Sequence, residues 1–215
     1  MTRCQTTCRR DPPTREDNPF ATCWTRPGAM PYLPTADGSV DKLLAAWRLA
    51  DGRGQIVGPH GVGKSTLLLA AGDALEDQGW EVRSVVFGAD QPSRPRPSAL
   101  TDFRQATGRL LLIDGWEQLT TWRRWRLLRH CAAENVSVLA TTHRATRWLP
   151  RLMTLAPTPR LISRLYHELV RERPSPVTES MALQAFEGAG CDIRETWFRL
   201  YDRHEDLIHG QAPQR

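Results

Sequence analysis

The chain has 215 residues, with 29 basic against 24 acidic side chains and a net charge of +5. That length accommodates one α/β domain with a small appendage and excludes two large domains. No apolar run approaches the length that crosses a bilayer, and the N-terminal MTRCQTTCRRDPPTRED lacks the apolar core of a signal peptide. A soluble, cytoplasmic protein without a membrane partner is therefore expected.

Residues 1–19 are rich in Pro, Arg and Asp and read as a disordered leader. Cys4, Cys8 and Cys23 fit no strong zinc spacing and find no fourth ligand; with Cys131 and Cys191 they make an odd number, which favours free thiols. The ordered chain is expected to begin near NPFATCWTRPGAMPY as an extended, aromatic segment. Ser39 then precedes a helix through Val40–Trp47, whose apolar residues recur at helical spacing.

Gln55-Ile56-Val57 reads as a short strand, followed by GPHGVGKST and a Leu/Ala-rich helix from Ser65 to Gln78 that closes at Gly79. The nonapeptide completes the pattern Gly-x-x-x-x-Gly-Lys-[Ser/Thr] through Gly58, Pro59, His60, Gly61, Val62, Gly63, Lys64 and Ser65, with Thr66 following. In such a loop the glycines let successive backbone N–H groups curl around a phosphate. Lys64 reaches the β- and γ-phosphates, and the Ser65 hydroxyl ligates Mg²⁺. Every other basic residue but Lys42 is an arginine. An ammonium is the compact point charge that fits inside a tight phosphate loop, where a planar guanidinium does not.

Glu81–Phe87 is the second strand, followed by the proline-rich loop GADQPSRPRPS and a short helix over Ala99–Thr107. Arg109–Asp114 is a buried parallel strand with a carboxylate at its C-terminal tip, where Asp114 can hold Mg²⁺ through water. A helix over Glu117–Glu134 contains WRRWRLLRH. Its Trp122, Trp125 and Leu128 can share an inward face with the arginines solvated, or the stretch can be a basic surface for nucleic acid. The scattered arginines give nucleic acid only weak support as a partner. Val136–Ala140 is a fourth strand leading to Thr141-Thr142-His143-Arg144, and Leu152–Leu155 a short fifth. Helices over Pro159–Glu172, Thr178–Glu187 and Asp192–Asp206 form a lid. Alternating strands and helices imply a parallel sheet with its ligand at the strand C-termini.

These motifs resemble the additional-strand P-loop ATPases, most closely the AAA+ superfamily, over about residues 40–206. GPHGVGKST is similar to Walker A, LLLID ending at Asp114 to Walker B, and VLATTH to the strand whose tip carries the sensor 1 residue. GAGCDIRETWFRLYD is similar to the sensor 2 turn and helix. The resemblance implies an α/β P-loop NTPase fold with a parallel sheet of about five strands flanked by helices and a small C-terminal helical lid. It divides the chain into a leader (1–19), an ATPase domain (20–157), a lid (158–207) and a tail (208–215). It also implies ATP and Mg²⁺ as cofactors, Ser65 and Asp114 as metal ligands, Thr142 or Thr141 as sensor 1, and Arg194 as sensor 2.

The pattern departs after Asp114, where the usual water-polarising glutamate is replaced by Gly115 and the nearest acid is Glu117. Three readings compete there: Glu117 swings in, His143 orients the water, or hydrolysis is slow. Arg144, Arg147 and Arg151 stand where an arginine finger serves a neighbour, which would imply a homo-oligomer or protein partner; solvated arginine is the alternative. The expected activity is Mg²⁺-dependent ATP hydrolysis coupled to a conformational change. A nucleotide-dependent switch with little turnover is the second reading and a small-molecule kinase the third.

Overall fold

Short runs of Leu, Val and Ile bounded by Gly, Asn and Pro set five strands in the computed structural model, which describes residues 18–26, 29, 32–33, 39–87, 103 and 108–210. The strands are β1 Arg53–Val57, β2 Trp80–Val86, β3 Gly108–Asp114, β4 Ser137–Thr142 and β5 Arg151–Thr154. All pair in parallel in the order β2-β3-β4-β1-β5. β4 is thus the additional strand, inserted between β1 and β3. Cys4 and Cys8, the 88–98 loop, most of the helix expected over 99–107 and the end of the tail lie outside the described residues.

Alternation along β3 divides the core into two layers. Leu110 and Leu112 face helices α2 (Val40–Leu49) and α3 (Lys64–Glu76), packing with Trp47, Leu67, Leu68 and Leu75. Leu111 and Ile113 face the opposite layer, where Leu127 and Cys131 of α4 (Thr121–Ala133) pack with Trp116 and Val138. Each such buried leucine is worth about 1.5–3 kcal/mol over leaving it in water. Ser39 caps α2 by accepting from Lys42 N at 3.1 Å, and the Trp47 indole N–H donates to Val138 O at 3.3 Å, fixing that helix against the sheet.

Two elements differ from the sequence expectation around residue 117. The chain forms a 3-10 turn, Trp116–Gln118, and α4 starts only at Thr121, because Gly115 is left-handed and Leu119 is extended and buried between the two. Trp122 and Trp125 do not pack inward: they are 60% and 45% exposed. At about 100° per residue, Leu127 and Cys131 centre the inward face and carry both tryptophans to the outside.

The lid consists of α5 (Pro159–Glu172), α6 (Glu179–Gly188) and α7 (Ile193–His209), capped by Thr158, Thr178 and Asp192. α7 runs two residues past the expected end of the lid at 207. A four-residue helix, α1 (Thr22–Thr25), lies in the segment before α2. Phe20, Trp24 and Leu33 of that segment join the lid, while Tyr32 packs on the sheet layer. Phe20 is 1% exposed and its ring stacks at 6.2 Å on Trp197 and 6.4 Å on Tyr166. Asn18, expected in the leader, is buried and donates to Tyr201 O at 3.2 Å and Glu205 Oε1 at 2.7 Å.

Candidate functional site

β1 ends at Val57 and α3 begins at Lys64, so the glycine loop is the whole connection between them. Gly61 and Gly63 take φ of 72° and 88°, a left-handed geometry that costs other residues about 1–2 kcal/mol. Leu67 is the first residue of the helix whose N–H has a backbone acceptor, Gly63 O at 2.9 Å. The N–H groups of the preceding turn therefore point out of the helix start, forming a concave set of donors suited to an anion.

Lys64 is 7% exposed. Its Nζ donates to Gly58 O at 2.8 Å and Pro59 O at 2.6 Å and lies 3.3 Å from His143 Nδ1. Burial pulls its pKa below the ordinary lysine value, with Glu117, Asp114 and Asp192 opposing that in part. The ammonium thus rests on loop carbonyls that a phosphate can replace.

At the tips of β3 and β4 the Thr141 hydroxyl donates to Asp114 Oδ1 and accepts from Gly115 N at 3.1 Å. Of the two threonines expected as sensor 1, Thr141 touches the acid. The Thr142 hydroxyl instead donates to Arg144 O at 2.9 Å and does not line the cleft. Gly115 has φ 86°, and a Cβ there would sit 2.3 Å from Phe87 O. No side chain fits there, and the first acid after Asp114 is Glu117.

Glu117 Oε1 lies 2.9 Å from His143 Nε2, while Oε2 is buried with no hydrogen-bond partner. An ammonium carries only donors, so His143 Nδ1 must accept from Lys64, and the ring is a neutral tautomer whose Nε2–H donates to Glu117. Burial and the Lys64 charge lower the His143 pKa, against Glu117 and a backbone hydrogen bond at Gly58, and the net lowering favours a neutral ring. The ring of His60 packs on it at 3.6 Å.

The lid closes the site from above. Asp192 caps α7 by accepting from Arg194 N at 2.8 Å and Glu195 N at 3.0 Å. This turn packs on the loop: a Cβ on Gly61 would meet Arg194 N at 2.7 Å and Asp192 Oδ1 at 3.1 Å. Arg194 lines the cleft, its guanidinium 5.7 Å from the centre of the Phe198 ring. The cleft, about 610 Å³, brings together His60, Gly61, Gly63, Lys64, Ser65, Thr66, Asp114, Glu117, Thr141, His143 and Arg194. A smaller pocket of about 80 Å³ opens beside it between Tyr32, Val62, Leu155, Leu165 and Trp197. Arg144, Arg147 and Arg151 are exposed and outside the cleft.

Sequence reasoning missed Asp192, although its capping position before α7 is a readable signal. It also missed Gln55, fully buried in β1, whose side chain donates to Thr146 O and Leu149 O and accepts from Thr146 N at 3.1 Å. That clamp holds the chain just beyond His143. Among the described residues Cys23, Cys131 and Cys191 are free thiols, and burial pushes Cys131 up to about 11. No described helix is long and apolar enough to cross a membrane.

No protein-family model and no curated protein sequence matches the chain. Solved structures do. AMPPCP-bound DnaA from Aquifex aeolicus superposes with a TM-score of 0.53 at 13% identity, covering 84% of this chain and 65% of that one. The chain therefore spans just under two thirds of the DnaA chain. NtrX from Brucella abortus, in complex with ATP, aligns with a TM-score of 0.48 at 14% identity over 86% of this chain and 52% of that one.

Proposed function

Because the chain has the fold of the AAA+-type P-loop NTPases, we propose that it binds ATP with Mg²⁺ in the cleft and hydrolyses it, coupling nucleotide state to the lid. The observation that carries this reading is the convergence on one cleft of Lys64, the open N–H groups at the start of α3, and the Ser65 and Asp114 side chains. An oxygen donor pair beside a phosphate cradle fits Mg²⁺, which takes few protein ligands and keeps its waters and phosphate oxygens. When bound, the ion neutralises charge on the phosphate oxygens. The N–H groups and Lys64 hold the β- and γ-phosphates, and the apolar pocket between Tyr32 and Trp197 receives the base.

Glu117, in the cleft lining and anchored by His143, then orients and deprotonates the attacking water. Thr141 takes the sensor 1 role through Asp114, and Arg194, on the lid turn against Gly61, takes sensor 2. Arg144, Arg147 and Arg151 face solvent, from which any one could serve a neighbouring subunit's nucleotide. The test is ATP binding and Mg²⁺-dependent phosphate release by the chain and by Lys64→Ala. Loss of binding in the variant is expected; unaltered ATP affinity would overturn the reading.

A second reading, a switch that holds ATP with little turnover, is favoured by Gly115, which leaves no acid directly after Asp114. Tight binding with no phosphate release from the purified protein would select it.

A further inference from the structure

We propose that the outer face of α4 binds single-stranded nucleic acid, with bases stacked on Trp122 and Trp125 and phosphates paired to Arg126 and Arg129. The inference does not rest on ATP hydrolysis, since this face lies on the outside of the layer that covers the sheet away from α3.

With three to four residues per turn, Trp122, Trp125, Arg126 and Arg129 form one stripe opposite Leu127 and Cys131. The tryptophans are therefore not needed by the core, and they remain 60% and 45% exposed. Arg126 lies 5.2 Å from the centre of the Trp122 ring and Arg129 lies 5.0 Å from that of Trp125. Each guanidinium is held beside an indole, presenting a flat π surface and a cation together. Among the described residues no carboxylate pairs with Arg126 or Arg129. The helix itself holds no acid. The first acid beyond it, Glu134 at the C-cap, has the Arg109 guanidinium on its carbonyl at 3.2 Å, adding a cation at that end.

The paired chemistry selects the occupant. An acidic peptide would satisfy the guanidiniums and leave two indoles in water. An apolar helix would cover the indoles and strip water from the arginines without compensation. A single strand supplies a π face and a phosphate with each nucleotide, and aromatic platforms in a basic surface bind such strands with little sequence preference. A duplex keeps its base faces stacked inside, out of reach of the indoles.

The experiment is fluorescence anisotropy of a labelled oligothymidylate of about twenty nucleotides, titrated with the full chain without ATP at about 50 mM salt and above. We expect binding that Trp122→Ala with Trp125→Ala weakens by at least tenfold, the size of losing one to two stacked bases. Trp→Phe at both positions should retain most of it. Arg126→Ala with Arg129→Ala should flatten the slope of log affinity against log salt by about 1.4, at about 0.7 for each phosphate no longer neutralised. All these side chains are exposed, so melting temperature and ATP affinity should stay at wild-type values. Absence of binding at low salt, or binding indifferent to both tryptophans, would overturn the proposal. So would a duplex bound as tightly as the single strand, or polyglutamate bound with the same tryptophan dependence, which would mark a surface for an acidic protein. Self-association that vanishes with the tryptophans would equally overturn it.

Discussion

On the proposed mechanism, Glu117→Gln should separate chemistry from binding in this cleft. The amide is isosteric, and its oxygen can still accept the His143 Nε2–H now directed at Glu117 Oε1 at 2.9 Å. Only the charge and the basicity of the carboxylate are lost. A positioned general base is worth about 10²–10⁴ in rate, or about 3–5 kcal/mol of barrier. The effect on ATP affinity should be far smaller. Glu117 is the leading influence holding the Lys64 pKa up against burial, but its side chain is 25% exposed, and screening limits that interaction to about 1 kcal/mol or less. Turnover should therefore fall at least a hundredfold while ATP affinity changes by less than about fivefold. His143→Ala removes the anchor and should cost about tenfold in turnover through misplacement of the carboxylate. The assay is single-turnover phosphate release beside equilibrium binding of a fluorescent ATP analogue on the same samples. Turnover of Glu117→Gln within twofold of wild type would refute the water-orienting role; a parallel loss of affinity would reduce Glu117 to a structural group.

Gly115→Ala should destabilise the fold by more than about 2 kcal/mol, because it adds a left-handed penalty to a Cβ 2.3 Å from the Phe87 carbonyl oxygen. Gly115→Glu should fail to restore activity for the same reason, and wild-type denaturant stability in either variant would contradict the geometry. The buried His204 pairs with the Ser175 hydroxyl at 2.8 Å, and burial lowers its pKa below 6.5. The unfolded chain then takes up a proton that the folded state refuses, so stability is full above pH 6.5 and declines as pH falls from there toward the folded value. Melting curves at neutral and mildly acid pH should show a smaller acid loss for His204→Gln than for wild type; equal losses would show that this histidine is not the titrating group.

The glycine loop was readable in the sequence because its shape draws on contiguous residues: Gly58 through Ser65 must be neighbours in the chain to form one turn and one helix start. The lid helix from Pro159 was equally plain, since Thr158 and Pro159 supply a cap and a pre-set first turn. What escaped depends on contacts between distant segments. Alternation along β4 guarantees that Thr141 and Thr142 point to opposite sides, but which one meets Asp114 follows from the pairing of Ile113 with Ala140, invisible in either segment alone. In α4 several apolar arcs compete, and Leu127 with Cys131 prevails because they meet Val138 and Trp116 across the layer. Gln55 looked like an ordinary strand residue because its value lies in Thr146 and Leu149, more than ninety positions away.

The sheet order gives a physical account of where Glu117 lies. With β4 between β1 and β3, the tip of β4 stands between the phosphate loop and anything that follows Asp114. There His143 meets Lys64 on one ring nitrogen and Glu117 on the other. The chain cannot place a side chain at residue 115, where Phe87 O and the bond to Thr141 hold the backbone in a left-handed turn. The 3-10 turn that follows returns the next acid to the cleft against His143. A ligand that draws Lys64 from the Gly58 and Pro59 carbonyls toward a phosphate also takes the ammonium from His143 Nδ1. Losing that neighbour removes one of the influences that lower the imidazole pKa and strengthens the pairing with Glu117. If Glu117 orients the water as proposed, phosphate occupancy and the anchoring of that carboxylate would be coupled through one imidazole ring, a link that an acid directly after Asp114 would not possess.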